Sequence, residues 1–412
     1  MHTPFVYRSP VKQMRICLVS PYDLSYEGGV NTHIMALASA LTQAGHHVRI
    51  LGPASGSVPF GCDGLPGTIA VPANGSVARV GLLVSARAVA RYFAHGCFDI
   101  VHVHEPYVPG TARLAVRCAT APVVATFHAY AEREHLLSRV ARQAMAWYLG
   151  PLQSAIAASA AAADFARVVY KGPIQIIPNG IDTAIFTPAA PASAPPFTLS
   201  VPRHVRSSEG VLSDSASSSD PVRVLFVGRF DEPRKGLAYL LDAVIRLRAS
   251  GRAVTVQIVG SGSPARVELA GPAGAQFLGR LSEAALAAAY RDCDVFCAPS
   301  IYGESFGLVL IEAMACGRPV VASDIRGYRE AAAGAALLVT PRDPDALAAA
   351  LLRVADDTTL RSGLVERGIA RAAELDWRRI SQHIVSVYRA VGSPLPHSSP
   401  SGGAALDVAL RA

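Results

Sequence analysis

The segment with the most suggestive chemistry is Gly228–Gly236, which reads GRFDEPRKG and follows a short apolar run. It contains Arg229 and Lys235, and Lys235 stands out because all but three of the 38 lysines and arginines in the chain are arginines. An arginine offers a planar fork of donors and a lysine a compact charge, so one of each suits the oxygens of a diphosphate. The alternative is that these cations only form the solvated start of a helix.

Two acidic residues lie in a second unusual segment, Gly303–Gly317. Glu304 is expected in a turn, and Glu312 two turns inside a helix that otherwise consists of Leu, Ile, Val, Ala and Met. Burying an unpaired carboxylate is costly, so each needs a partner, and the hydroxyls of a sugar are suitable. The alternative is that Glu304 caps the helix and that Glu312 forms a salt bridge.

Two further features lie where predicted strands end. His128 directly follows the run VVATF, and this position favours a role in a cleft over a role in the core. The loop Glu27–Val30 contains Gly28 and Gly29, which allow close backbone approach, and its amides with the next helix N-terminus could hold a phosphate. A tight turn without a ligand would explain the two glycines equally well.

Two patterns resemble metal motifs without the context that a metal site needs. His102 and His104 alternate onto one face of a predicted strand and precede Glu105, but a core role is the better prediction. Asp292 and Asp294 match the acidic DxD signature of metal-dependent sugar transferases. Because they introduce a strand at its amino end, we interpret the match as chance and expect no metal.

Short apolar runs alternate with helical patterns along both halves of the chain, which predicts parallel, doubly wound α/β sheets. In the first half, strands are expected at 15–20, 47–51, 100–104 and 123–127, with helices at 31–44, 82–94 and 138–147. In the second half, strands are expected at 222–227, 254–259, 295–298 and 319–322, with helices at 237–248 and 377–391. Ligands of such sheets bind beyond the carboxyl ends of the strands.

Composition divides the chain into six parts. We expect a flexible extension at 1–13, a Rossmann-like domain at 14–186, a disordered Ala/Pro/Ser-rich insertion at 187–221 and a second Rossmann-like domain at 222–375. A helix at 376–392 is expected to pack back on the first domain, followed by a flexible tail at 393–412.

The overall composition excludes several classes of protein. Apolar residues make up 51% of the chain, which excludes a disordered or fibrous protein. The net charge of +7 suits phosphate-bearing ligands or an anionic surface, but there are no dense basic runs, and no nucleic acid is expected. Seven cysteines without a paired framework favour reduced thiols and a cytoplasmic protein. No apolar run is long enough to span a bilayer.

The residues resemble a known family. The segment GESFGLVLIEAMACGRPVVASD, with Glu304 and Glu312, is similar to the family 4 retaining glycosyltransferases of GT-B fold. More narrowly, the chain resembles the branch that mannosylates phosphatidyl-myo-inositol in GGVNTHIMALASAL, NGSVARV, VHVHEPYVP, VVATFH, IPNGID and GRFDEPRKG. Most of the chain is covered, apart from the extension, the insertion and the tail.

This resemblance implies a nucleotide-sugar donor, in particular GDP-mannose, held mainly by the C-terminal domain, with no further cofactor. It implies that catalysis involves His128, Arg229, Lys235 and Glu304. It implies that the donor also contacts Gly29, Phe306, Gly307, Leu308 and Glu312. The implied acceptor residues are Asn31, Asn74, Ser76 and Arg79.

The implied reaction is transfer of a mannosyl residue to phosphatidyl-myo-inositol or a related lipid, on the inner face of the plasma membrane. Ala73, where the branch carries an aromatic residue, and Asn31, where it carries a glutamine, leave another polyol acceptor or another donor open. A nucleotide-sugar isomerase and a non-catalytic binder are further alternatives. Arg87 and Arg91 share one face of the helix at 82–94, which suits either weak attraction to anionic lipid or a plain solvated face.

Overall fold

The computed structural model describes residues 13–26, 28–73, 76–129, 143, 146–189, 221–263, 267 and 270–392. The predicted extension, insertion and tail therefore lie outside the described residues, apart from 13, 187–189 and 221. Their boundaries stay predictions, and so does most of the helix expected at 138–147.

The N-terminal lobe is built on a seven-stranded parallel sheet with the strand order β3-β2-β1-β6-β7-β8-β9. A separate antiparallel hairpin consists of β4 and β5. The strands are β1 Arg15–Val19, β2 His47–Pro53, β3 Cys62–Leu65, β4 Ile69–Ala73, β5 Ser76–Val80, β6 Ile100–His104, β7 Val123–Phe127, β8 Leu152–Ala157 and β9 Ile174–Ile176. The helices are α1 Gly29–Gln43, α2 Ala86–Gly96, α3 Thr111–Cys118 and α4 Ala160–Ala166, with a 3₁₀ turn at Ala146–Leu149.

The C-terminal lobe repeats this plan with a six-stranded parallel sheet of order β12-β11-β10-β13-β14-β15. Its strands are β10 Val222–Val227, β11 Val254–Val259, β12 Ala275–Gly279, β13 Val295–Ala298, β14 Val320–Ser323 and β15 Leu337–Val339. Its helices are α5 Leu237–Ala249, α6 Glu283–Asp292, α7 Leu308–Ala315, α8 Arg326–Ala332, α9 Pro344–Asp356 and α10 Thr358–Glu374, after a 3₁₀ turn at Pro233–Lys235.

The central strands are short and continuously apolar because helices cover both faces of each sheet. All five residues of β6 and of β7 are buried, so neither strand shows the alternation of a half-exposed sheet. The expected parallel α/β architecture is confirmed. Five strands, at 100–104, 123–127, 222–227, 254–259 and 295–298, have the predicted bounds.

One predicted helix begins later than expected. We expected a helix from residue 82, but α2 begins at Ala86, because the Ser85 side chain accepts a hydrogen bond from the amide of Ala88 at 3.4 Å and caps it. Leu82 and Leu83 therefore lie in the preceding turn, where they are exposed.

The last helix, α11 Trp377–Gly392, crosses from the C-terminal lobe to pack on α1 and β8. Two backbone hydrogen bonds fix this crossing. The Ile181 amide donates to the Leu375 carbonyl at 2.8 Å, and the Trp377 amide donates to the Ile181 carbonyl at 3.0 Å. Within the described residues, no helix combines the length and apolarity that crossing a bilayer requires. All seven cysteines are free thiols, as expected.

Candidate active site

A tight turn presents the cations of the C-terminal lobe. After β10 the chain forms the 3₁₀ turn Pro233–Lys235 and then Gly236, which has a φ of 72°. A Cβ at Gly236 would lie 1.9 Å from the Pro299 carbonyl oxygen, just beyond β13, so only glycine permits this approach. The turn is thereby pressed against the ends of two neighbouring strands, where the cleft of an α/β sheet forms.

Lys235 and Glu304 are in direct contact in this cleft. Lys235 Nζ donates to Glu304 Oε1 at 2.7 Å, Arg234 donates to the same oxygen at 3.0 Å, and Ser300 Oγ lies at 3.2 Å. Burial pushes the pKa of Glu304 up, but the charges of Lys235 and Arg234 outweigh it, and the pKa is lowered. Glu304 is therefore ionised at neutral pH and accepts hydrogen bonds, as the prediction requires.

Arg229 extends this group on the solvent side. Its guanidinium pairs with Glu232, which is also paired with Arg234 through Nη2 and Oε2 at 3.1 Å. Three cations and two carboxylates thus meet in one group, whose lysine is only 18% exposed. We call Arg229, Glu232, Arg234, Lys235 and Glu304 the cation cluster. Cations concentrated in this way favour an anionic ligand.

Glu312 lies deeper in the same lobe and has a different environment. Tyr290 donates its hydroxyl hydrogen to Glu312 Oε2 at 2.7 Å, so the described partner is a phenol rather than the cation of a salt bridge. Burial raises the pKa of Glu312 to about 7, because the hydrogen bond from Tyr290 lowers the pKa by less than burial raises it. The helix predicted around Glu312 is α7, and it begins directly after Gly307, whose φ is 107°. At its start, Phe306 is buried and Leu308 is half-buried.

His128 lies at the carboxyl end of β7 in a group of buried histidines. His128 Nε2 is 2.9 Å from Nδ1 of His104, the last residue of β6, and its ring centroid is 4.6 Å from that of His33 on α1. Burial and the neighbouring imidazoles lower the pKa of His128 well below its usual value. It is therefore neutral at pH 7 and can accept or donate a hydrogen bond.

Glu105 supports His128, and sequence reasoning missed this role. Glu105 Oε1 accepts a hydrogen bond from the His128 backbone amide at 2.8 Å, and the residue has a φ of 49°, which is strained for a side chain other than glycine. Burial raises the pKa of Glu105 to about 7. Burial is the main cause that raises the pKa of the Tyr22 phenol, and the charge of Glu105 raises it further. The available signal was a carboxylate directly after the predicted strand IVHVH, at its carboxyl end.

The glycine loop opens α1 without a side-chain cap. Among the described residues, and apart from the chain neighbours and the backbone of α1 itself, no atom lies within 4 Å of a Cβ built on Gly28 or Gly29. The open space leaves the amides of the first turn accessible to a ligand, which favours the phosphate interpretation over a plain tight turn.

The residues implied for the acceptor are less clearly grouped. The Asn31 carboxamide is engaged within the protein: Ser20 Oγ bonds its Oδ1 at 2.7 Å, and its Nδ2 donates to the carbonyls of Asp23 and Tyr26. Arg79 is exposed, with its guanidinium 4.4 Å from the centre of the Tyr26 ring. Their roles stay predictions. Asn74 lies outside the described residues, and Ser76 begins β5.

The two metal-like patterns have structural explanations of different kinds. Arg223, at the start of β10, binds Asp292 at 2.7 Å and Asp294 at 3.0 Å, at the amino ends of the strands and away from the cleft. The two aspartates precede β13, as expected, and the interpretation of the DxD match as chance stays a prediction. His102 is bonded to Tyr388 Oη at 2.6 Å and to Thr126 Oγ1 at 2.7 Å, so it is satisfied in the core.

The structure thus assembles two groups of polar side chains, each at the carboxyl edge of one sheet. The lobes also touch directly, because Glu330 of α8 accepts from the Ala160 amide at the start of α4 at 2.9 Å. Arg326 pairs with Asp164 at 2.5 Å across the same boundary. Two facing Rossmann-like lobes with a cationic group on one and a glycine loop on the other can bind an activated, phosphate-bearing donor between them.

Comparisons with known proteins agree with this arrangement. Residues 27–185 match the family model described as Glycosyltransferase Family 4, and residues 221–357 match Glycosyl transferases group 1. The phosphatidyl-myo-inositol mannosyltransferase of Mycolicibacterium smegmatis is 38% identical over 96% of this chain and 98% of its own length. Proteins of the same name from Mycobacterium tuberculosis and Propionibacterium freudenreichii are 35% and 34% identical, over 92% of this chain and 97% and 96% of their own lengths.

Solved structures establish the fold. Sucrose-phosphate synthase from Thermosynechococcus elongatus superposes with a TM-score of 0.67 at 24% identity, covering 92% of this chain and 99% of that one. Anabaena HepE, in complex with UDP and glucose, gives a TM-score of 0.68 at 20% identity, covering 92% and 100%. The predicted GT-B architecture is confirmed. The chain is therefore a glycosyltransferase that belongs to glycosyltransferase family 4.

Proposed function

We propose that this protein transfers a mannosyl residue from GDP-mannose to phosphatidyl-myo-inositol, with retention of anomeric configuration. The observation that carries the proposal is identity of 34–38%, over nearly the whole length of both chains, to relatives named phosphatidyl-myo-inositol mannosyltransferase. The cation cluster supports it independently, since a diphosphate is the anion that a nucleotide-sugar donor would place in that cleft.

On the donor side, Arg229 and Lys235 neutralise the diphosphate, and the Gly29 amide at the start of α1 adds a donor from the opposite lobe. Diphosphate binding replaces the present pairing of Arg229 with Glu232. Glu304 stays ionised beside Lys235 and accepts hydrogen bonds from mannose hydroxyls. Phe306, Gly307 and Leu308 shape the donor pocket at the start of α7, and Glu312 within α7 binds the ribose, as the resemblance to family 4 implies.

The difficult step is breaking the bond between the anomeric carbon and the diphosphate oxygen, because negative charge develops on the departing oxygen. Fixed cations and amides stabilise that charge. In a front-face reaction the acceptor oxygen bonds the anomeric carbon on the side that the leaving group vacates, and the leaving phosphate oxygen takes the acceptor's proton. His128 orients the sugar and the acceptor. Trapping a covalent mannosyl-enzyme would establish double displacement instead.

On the acceptor side, Asn31, Asn74, Ser76 and Arg79 bind the inositol phosphate headgroup. Access to a lipid headgroup requires contact with the membrane, and the surface around α2 supplies it. Arg87 and Arg91 are exposed on α2, and Leu82 and Leu83 are exposed just before it. We infer peripheral attachment to the inner face of the plasma membrane, because arginines attract anionic lipid and exposed leucines insert at the interface.

The test is product identification with purified protein and vesicles that contain phosphatidylinositol. GDP-mannose, UDP-glucose and GDP-glucose are each supplied, and the lipid products are analysed by mass spectrometry. We expect one hexose added per phosphatidylinositol with GDP-mannose and at least tenfold less with the other donors. Conversion of the donor without lipid would indicate an isomerase. Donor binding with no product from any acceptor would indicate a non-catalytic binder.

A further inference from the structure

Three buried histidines from separate elements bring ring nitrogens close together. His33 comes from α1, His104 from the end of β6 and His128 from the residue after β7, and one nitrogen of each lies within 4.8 Å of the others. The ring centroids are 5.4 Å apart for His33 and His104, 4.6 Å for His33 and His128, and 5.3 Å for His104 and His128. We call these three residues the histidine triad.

The hydrogen bonding of the triad is incomplete. Among the described residues, Asn179 is the one side chain that contributes a hydrogen bond to His33, and it does so with poor geometry; Nε2 of His104 has no hydrogen-bond partner there, although both histidines are buried. Nearby His102 differs, because Tyr388 and Thr126 satisfy both of its nitrogens. Buried polar atoms are normally well paired, so the incomplete pairing of these imidazoles needs an explanation.

The chemistry of the triad suits a metal ion. Imidazole is the commonest side-chain ligand of transition metals in proteins. Three imidazoles are a ligand set that zinc accepts readily, with a fourth position for water or substrate.

We propose that His33, His104 and His128 form a binding site for Zn²⁺ or a similar divalent first-row transition metal, and that the bound ion inhibits sugar transfer. In a tetrahedral site the ligand nitrogens lie about 3.3–3.4 Å apart. The ligand atoms would be Nδ1 of His104 and Nε2 of His128, now 2.9 Å apart, with one ring nitrogen of His33, and the triad reaches the tetrahedral spacing when that contact opens and His33 moves closer. Inhibition of sugar transfer follows because the ion then holds His128. The inhibition rests on the proposed function, whereas the binding of the metal ion does not.

Metal binding is measured first, without any reference to activity. Isothermal titration with Zn²⁺ compares the wild type with His33→Gln and with His383→Gln, a control at an exposed histidine of α11. Titration with Co²⁺ monitors the visible ligand-field absorption that imidazole ligands produce. We expect one ion per chain for the wild type and the control. For His33→Gln we expect affinity about 100-fold lower, because even changes outside the ligand set cost 10–100-fold.

Two results would overturn the site: no saturable binding to the wild type, or equal binding by His33→Gln. Circular dichroism verifies the fold of each variant, and His104→Gln replaces His33→Gln if the latter does not fold, with the same expected loss. Saturating Zn²⁺ should lower transfer at least tenfold in the wild type and the control, reversibly with a chelator, but not in His33→Gln. Full activity at saturation would refute inhibition.

The two proposals fail in distinguishable ways. If metal-free protein transfers mannose but binds no zinc, the triad is only a packing feature and the proposed function stands. If the protein binds one zinc per chain but transfers no mannose from GDP-mannose, the proposed function fails and the site stands.

Discussion

Replacing Lys235 with alanine tests the central chemical assignment. The substitution removes one of the two cations within 3.0 Å of Glu304 Oε1 and, in the proposed function, one of the cations on the departing diphosphate. Arg234 and Ser300 still bond Glu304, so the substitution does not leave a buried carboxylate without a partner. The fold should therefore survive, and the loss should fall on catalysis.

The size of the loss follows from the interaction removed. Losing one preorganised donor to developing charge costs about 2.7–4 kcal/mol, which corresponds to a fall in kcat of about 10²–10³. In the proposed function, Arg229 and the Gly29 amide still contact the diphosphate, so the KM for the donor should rise less than kcat falls. Lys235→Arg should recover only part of the rate, because a planar guanidinium does not fit the space of a compact ammonium.

Steady-state kinetics with GDP-mannose and phosphatidylinositol vesicles measure both constants. Lys171→Ala is the matched control, since Lys171 is an exposed lysine whose Nζ bonds the Arg167 carbonyl at 2.8 Å, outside the cation cluster. Melting curves verify that both variants are folded. If Lys235→Ala had a kcat/KM within about threefold of that of Lys171→Ala, the assignment of this lysine to the leaving group would be refuted.

Three further predictions follow from the structure. Glu312→Gln should raise the melting temperature at pH 8 and have little effect at pH 5. Burial raises the folded-state pKa of Glu312 to about 7. The contribution of this carboxyl group to stability is therefore present below its unfolded-state pKa and is lost as pH rises through 7. An equal shift at both pH values would contradict this. Asp294→Asn should keep kcat within about twofold, because the ion pairs of this exposed carboxylate contribute little free energy. A large loss of kcat would indicate instead that the acidic motif binds a metal. Gly236→Ala should lower the melting temperature by several degrees, since the new Cβ meets the Pro299 carbonyl at 1.9 Å and the positive φ adds about 1–3 kcal/mol of strain; an unchanged melting curve would contradict the close approach.

Much of the fold could be predicted from the sequence because the central strands are fully buried. A buried parallel strand needs a mainly apolar run, and VVATF of β7 and the valines and isoleucine of β6, IVHVH, stand out against their polar loops. The weaker strands were not predicted. The hairpin of β4 and β5 and the edge strand β9, Ile174–Ile176, are short and partly exposed, so their composition does not separate them from loops.

The sequence alone determined which residues have unusual chemistry for their surroundings: a rare lysine among arginines, carboxylates beside apolar runs, and a histidine at a strand end. It could not determine their partners, because contacts between residues 69 positions apart, such as Lys235 with Glu304, depend on how neighbouring strands align. Only the tertiary structure showed that Glu105 holds the backbone of His128 and that His33 from α1 meets two strand ends. The physical reason is that pKa values and hydrogen bonding are set by burial and by neighbours in space, which packing creates and local sequence does not encode.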